Sequence, residues 1–365
     1  MQTDAQPKPK RAVNACDVGR QVWRDWTDKE VQKTYTVTYI WMTNQLGHFT
    51  LGFLFTFVIV WIWAVFRGSI PSLGWIVVIA IAEVIFWTGK ETFDWITAKR
   101  DAKGNPFPFD GLDVLSDAAT AVWFITAGIV VALLSFVVPW AALAALAAGM
   151  VFSLVPALHW LSRKLCFQQA ALPFLFRLAD FNGSFEPNAA DGVKTINDYL
   201  ADGQGDIRHL FIFGRRGAGR TSLAVAIATE HTFRVHSARY MSWAKFMETA
   251  QDTAEPEIQD GLRVWPWRAS DIVVLDDVVK VIKDKAITSA KDIAAEFGRL
   301  PAEAAWSLAQ RRTVWVLGPD QTDWVTTLQS ALKAAPSECR AVQVVPVAAV
   351  PKKGHRMPVS HMSGS

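Results

Sequence analysis

Apolar positions crowd into residues 49–161 of this 365-residue chain, in four runs that span Phe49 to Phe66, Leu73 to Thr88, Ala118 to Val138 and Trp140 to Leu161. A helix that crosses a bilayer needs about 20 consecutive apolar residues, and the first, third and fourth runs approach that length. The second is shorter and carries Glu83. Trp61, Trp63, Trp75, Trp87, Trp123, Trp140 and Trp160 gather toward the ends of the runs, where aromatic rings meet both hydrocarbon and headgroups. The last two runs are joined only at Pro139, which reads as a membrane hairpin rather than a pair of soluble core helices. The pattern predicts an α-helical transmembrane domain of about four spans over residues 31–165.

Beyond residue 206 the pattern changes to short apolar runs separated by polar, helix-length segments. Leu210 to Phe213, Arg239 to Met241, Ile272 to Leu275, Val314 to Leu317 and Ala341 to Val345 read as strands. Continuous apolar runs suit strands buried on both faces, and the intervening segments are long enough for crossover helices. An α/β domain with a five-stranded parallel sheet is therefore expected over residues 207–348. Residues 1–30 read as a polar basic tail or membrane-surface segment. Residues 166–206 read as a connector with one helix near Val193 to Leu200, and residues 349–365 as a disordered tail.

Charge adds an orientation. Net charge is only +3, but Lys8, Lys10, Arg11, Arg20, Arg24, Lys29 and Lys33 precede the first span, Lys90, Lys99, Arg100 and Lys103 flank the middle loop, and Arg163 and Lys164 follow the last. The outer connections carry Arg67 alone. The positive-inside rule then predicts a multi-pass protein of the inner (cytoplasmic) membrane with both termini and the α/β domain in the cytoplasm. The long polar start argues against a cleavable signal peptide. Cys16, Cys166 and Cys339 suggest neither a disulfide framework nor a zinc site.

The most specific chemistry lies in Arg208 to Leu223, RHLFIFGRRGAGRTSL, where a strand-like run breaks into a glycine loop and then enters an alanine-rich helix. The spacing G-x-x-x-x-G-K-[ST] of a phosphate-binding loop is met at Gly214, Gly219 and Thr221, with Arg220 in the lysine position. Gly214, Gly217, Ala218 and Gly219 would let backbone amides curl around a polyphosphate at the helix N-terminus, followed by Arg220, Thr221 and Ser222. Thr221 stands where a hydroxyl ligates Mg²⁺. Downstream, Asp271-Ile-Val-Val-Leu-Asp-Asp-Val reads as a buried strand that runs into two acids, with Asp276 placed to hold Mg²⁺ through water and Asp277 to orient the attacking water. Arginine keeps the charge of lysine but not its shape, so binding of ATP with slow or absent hydrolysis is expected.

These residues, with ARYMSWAKFMETA and RRTVWVLGPD, resemble the AAA+ ATPase core of the replication-initiator, helicase-loader and transposition-helper group over roughly residues 175–348. The resemblance implies ATP and Mg²⁺ as cofactors and self-assembly or a membrane partner protein. It also implies a trans-acting arginine, for which Arg340 is the first choice and Arg311 and Arg312 are alternatives. The chain departs from the family pattern at Arg220, at Gly318-Pro319-Asp320 in the sensor position, and in having no expected helical lid after the last strand. Without a recognition module, nucleic-acid binding is not expected.

A second constellation lies at the membrane edge. Glu83, Trp87, Glu91 and Asp94 fall at spacings of four, four and three, and Asp110, Asp113 and Asp117 at three and four, so each set lies on one helical face. Glu91, Asp94, Asp113 and Asp117 are candidate ligands for a hard cation, or ordinary solvated helix ends. Two other functions stay open beside the nucleotide-binding one: a non-enzymatic membrane scaffold with a degenerate loop, and an ion- or metal-binding membrane protein built on this stripe.

Overall fold

The computed structural model describes residues 12–27, 36–101, 111–201, 207–251, 258–259, 262–278, 289–319, 321 and 323–345. The expected tail 349–365 and the middle-loop basic residue Lys103 lie outside them. Among the described residues, five helices form the N-terminal half: α1 (Ala15–Thr27), α2 (Val37–Arg67), α3 (Leu73–Asp101), α4 (Gly111–Val137) and α5 (Pro139–Gln169). Four of them, over Val37–Arg67, Leu73–Phe93, Leu115–Val137 and Trp140–Gln169, are long and apolar enough to cross a membrane. Their outward faces are apolar, with Phe66, Trp140, Leu143 and Val155 largely exposed. Such a surface suits lipid and not water. The chain is thus a membrane protein with a C-terminal α/β domain.

In the helical half α2 and α4 pack backbone to backbone, and two glycines explain it. A Cβ on Gly52 would lie 2.1 Å from the carbonyl oxygen of Ile125, and one on Gly128 would lie 2.2 Å from that of Phe49. Small residues let helix backbones touch where no hydrophobic effect drives association. Val60, Ile76, Ile125 and Ile129 fill the space beside this contact.

In the second half, β1 (Ser184–Glu186), α6 (Ala189–Leu200), β2 (His209–Gly214), α7 (Arg220–Phe233), β3 (Ala238–Ser242) and α8 (Trp243–Thr249) are followed by a two-stranded ribbon, β4 (Ile258–Gln259) and β5 (Leu262–Arg263). Then come β6 (Ile272–Asp276), α9 (Ala290–Phe297), α10 (Ala302–Ala309), β7 (Arg312–Val316), α11 (Asp323–Leu332) and β8 (Cys339–Val345). Among the described residues, the main sheet has six strands in the order β1-β8-β2-β7-β6-β3. All five expected strands are present and mutually parallel. The expectation of a purely parallel five-stranded sheet is corrected by β1, which pairs antiparallel with β8 from within the expected connector. Three residues with one buried side chain, Phe185, are too short to show a strand period.

Alternation along the strands divides the core. Leu210, Ile212, Val274, Val314 and Val344 face α6 and α7, while Phe211, Phe213, Val273, Leu275 and Trp315 face α8 to α11. Burial of both faces is what continuous apolar strands require.

The two halves meet directly. At 31 residues, α5 is about 46 Å long, well beyond the roughly 30 Å hydrocarbon layer. Its C-terminal end carries Leu165, Cys166 and Phe167 into a cluster with Val13 and Val18, before and within α1, and with Phe233 and Val235, at and just beyond the end of α7. The amide of Tyr240 donates to Ala170 O at 2.9 Å, so the α5 terminus covers the β3 edge. The amide of Ala12 donates to Val235 O at 3.1 Å, which ties the start of the described chain to the same domain.

Candidate functional site

The strand order creates a crevice. From β2 the chain leaves through α7 to β3 at the far edge, returns through β6 and inserts β7 beside β2, with β8 on the other side. In open α/β sheets, ligands sit outside the carboxyl ends of the strands at such a reversal. Gly214, Ser242, Asp276 and Val316 end β2, β3, β6 and β7 along this edge.

The glycine loop occupies the end of β2. A Cβ on Gly214 would come within 2.5 Å of Val344 O, and Gly217 and Gly219 have φ of 82° and 93°, which side chains rarely tolerate. Gly219 caps the N-terminus of α7 with no side-chain hydrogen bond. The first amides of α7, at Arg220, Thr221 and Ser222, therefore have no side-chain acceptor from the cap, and the helix dipole adds to their pull on an anion. Ala218 is buried, its amide bonded to Arg215 O at 3.1 Å, while Arg215, Arg216 and Gly217 face solvent. Thr221 and Ser222 are half-exposed.

An aromatic ring packs against the start of α7. The bidentate pair of Arg177 with Glu230, at 2.7 and 2.9 Å, holds the short helical turn Leu178–Asp180 against α7. Buried Phe181 then lies where a Cβ on Gly219 would touch its ring at 3.3 Å.

Arg220 does not point out of the loop. Its Nη1 donates to the carbonyl of Leu317, just after β7, so the guanidinium bridges the crevice. Half-burial pushes its pKa down, and Asp276 and Asp277 act in the opposite direction by favouring the cation. Asp276 is buried, with Oδ2 accepting from the Tyr240 hydroxyl at 2.6 Å and Oδ1 from the Asp277 amide at 2.7 Å. Burial first, then the bond to Asp276, raises the Tyr240 phenol well above its ordinary range, so it stays a donor. Asp277 is exposed, with its backbone at φ 53°. After β7 the amide of Gly318 is taken by Gln321 Oε1 at 2.6 Å. Asp320 lies outside the described residues.

The structure brings Gly214, Gly217, Ala218, Gly219, Arg220, Thr221, Ser222, Asp276 and Asp277 to one edge. Arg340 is elsewhere: it is the second residue of β8, opposite Leu210 and near the amino end of the sheet, and its Nη1 donates to Pro336, Ser337 and Cys339 carbonyls. Arg311 and Arg312 lie at the same amino end, bonded to Ser270 O at 2.7 Å and stacked on Tyr199. Tyr240, Leu317 and Phe181 were not singled out in the sequence. Only Tyr240 carried a usable signal, as an aromatic two residues before the end of the strand beside Asp276.

The acidic stripe is only partly assembled. Glu91 is paired with Lys90 at 2.8 Å, and Glu91 and Asp117 both act electrostatically on His48 of α2. Glu83 instead faces α2, where Thr56 donates to it at 2.6 Å. The side chains of Asp94 and Asp113 lie outside the described part. Among the described residues, none of these acids belongs to a group close enough to hold a metal. Two cavities, of about 600 Å³ among α1, α2, α4 and α5 and about 540 Å³ beside Tyr240 and Lys245, do not include the glycine loop. In comparisons with known proteins, the chain matches no family model and no curated sequence.

Proposed function

We propose that the chain is a membrane-anchored, AAA+-like nucleotide-binding protein. In this reading it binds ATP with slow or absent hydrolysis and acts through self-assembly or a membrane partner at the cytoplasmic face. One observation carries the reading: the loop Gly214–Gly219 joins a buried strand to a helix N-terminus with no side-chain cap, beside a buried acid, at the switch point of the sheet. A polyphosphate fits the three glycines and the α7 amides. Mg²⁺ would meet the Thr221 hydroxyl and, through water, Asp276, and when bound it supplies charge neutralisation of the phosphates.

The residues also favour holding over turnover. Arg220 is engaged with Leu317 O and attracted electrostatically by Asp276 and Asp277, whereas a lysine there would reach the outer phosphates. Both oxygens of Asp276 already accept hydrogen bonds within the protein. Arg340, at the other end of the sheet, can serve a nucleotide only on a neighbouring copy. The test is calorimetric titration of the detergent-purified protein with ATP·Mg²⁺, beside Thr221→Ala. Binding that weakens by about tenfold in the variant supports the site, and equal isotherms or no heat in the wild type contradict it.

A further inference from the structure

At the opposite end of α7 from the glycine loop lies a group of metal-ligating side chains that the nucleotide reading does not use. His231 is in the last turn of α7, His236 is in the turn that leads to β3, and Asp271 immediately precedes β6. One ligand atom from each lies within 4.8 Å of the others. His231 is 2 % exposed, and neither of its ring nitrogens has a hydrogen-bond partner. Buried polar groups are rarely left so, and an orphan imidazole asks for a ligand. The His231 and His236 rings are stacked at 4.8 Å with planes 23° apart. Asp271 Oδ2 accepts from the Ser237 amide at 3.0 Å and its hydroxyl at 2.8 Å. Bonds of that kind fix the orientation of a ligating carboxylate.

We infer that His231, His236 and Asp271 form a Zn²⁺ site that staples the end of α7 to the amino ends of β3 and β6, with a fourth position left for water. The neighbours narrow the ion. Arg234 and Arg312 act electrostatically on His231, and Arg311 on Asp271. A hard cation held mainly by field would be repelled, whereas zinc gains its affinity from coordinate bonds to neutral imidazole. Zinc at about 2.0–2.1 Å separates tetrahedral ligand atoms by about 3.4 Å, so small rotamer shifts close the present spacing.

The experiment uses full-length protein in detergent, stripped with a chelator and then given Zn²⁺ or, in parallel, Mg²⁺. The expected result is one zinc retained per chain and a thermal midpoint raised by about 5 °C by Zn²⁺ but not by Mg²⁺. His236→Gln and Asp271→Asn alter the two less buried ligands, and each should weaken zinc binding by at least about tenfold. Co²⁺ substitution supplies a readout that needs no variant: weak ligand-field bands without a thiolate charge-transfer band are expected. Failure of the wild type to retain zinc, undiminished zinc affinity in both variants, or a thiolate band that assigns the metal to a cysteine would overturn the site.

Discussion

The guanidinium of Arg220 donates to the carbonyl of Leu317 and so spans the crevice between the start of α7 and the end of β7. A lysine lacks the planar fork with which Arg220 holds that carbonyl while Asp276 and Asp277 act on it electrostatically. Arg220→Lys should therefore release the crevice. Phosphate release from ATP is expected to rise by about tenfold or more with affinity within a few-fold of wild type; unchanged turnover would mean that Arg220 is not what limits hydrolysis.

Gly128 meets the α2 backbone with no room for a methyl group. Gly128→Val must push α4 away from α2, and a loss of about 1–3 kcal/mol is expected, as for overpacked interiors. Gly89 has open space around it, so Gly89→Ala serves as the neutral control. Thermal midpoints of the two variants in detergent check this. Equal midpoints would refute the close packing.

The starts of the strands give an acid sensitivity. His209 opens β2 fully buried, and burial holds its pKa down at about 4 against an ordinary value of 6.5. Because the folded pKa is the lower one, the unfolded chain binds the proton first. The contribution is present above pH 6.5 and is lost as pH falls toward 4. From pH 7 to pH 5 the wild type should lose about 2 kcal/mol through this group, at about 1.4 kcal/mol per unit. Denaturant titrations of His209→Leu at the two pH values should show the loss reduced by about that amount.

Orientation rests on the basic residues around the middle loop. The bond from Ala12 to Val235 already holds the start of α1 and the α/β domain together. A cysteine at Lys103 should react with an impermeant reagent only from the cytoplasmic side, and one at Ser69 only from the outer side. Reversal of the two would invert the topology.

What was legible in the sequence follows from how each element is stabilised. Strands such as Leu210 to Phe213 and Ile272 to Leu275 are buried on both faces, so their apolar runs stand out whatever packs around them. The glycine loop was legible because backbone geometry at Gly217 and Gly219 admits little else. By contrast, β1 is held by its pairing with β8, and that partner lies far along the chain. The apolar run of α5 told where it enters the bilayer but not that its helix continues to Gln169 and covers the β3 edge. The contact of Arg220 with Leu317, 97 residues away, depends on the strand order, which no local pattern encodes.

The central claim is that this edge holds a nucleotide and scarcely turns it over, and the most direct measurement is to determine ATP affinity and steady-state phosphate release on the same preparation of wild-type protein. The account predicts saturable, Mg²⁺-dependent binding with release well below about 1 s⁻¹, the lower end for phosphoryl-transfer enzymes. Turnover of several per second, or no binding at millimolar ATP, would contradict it.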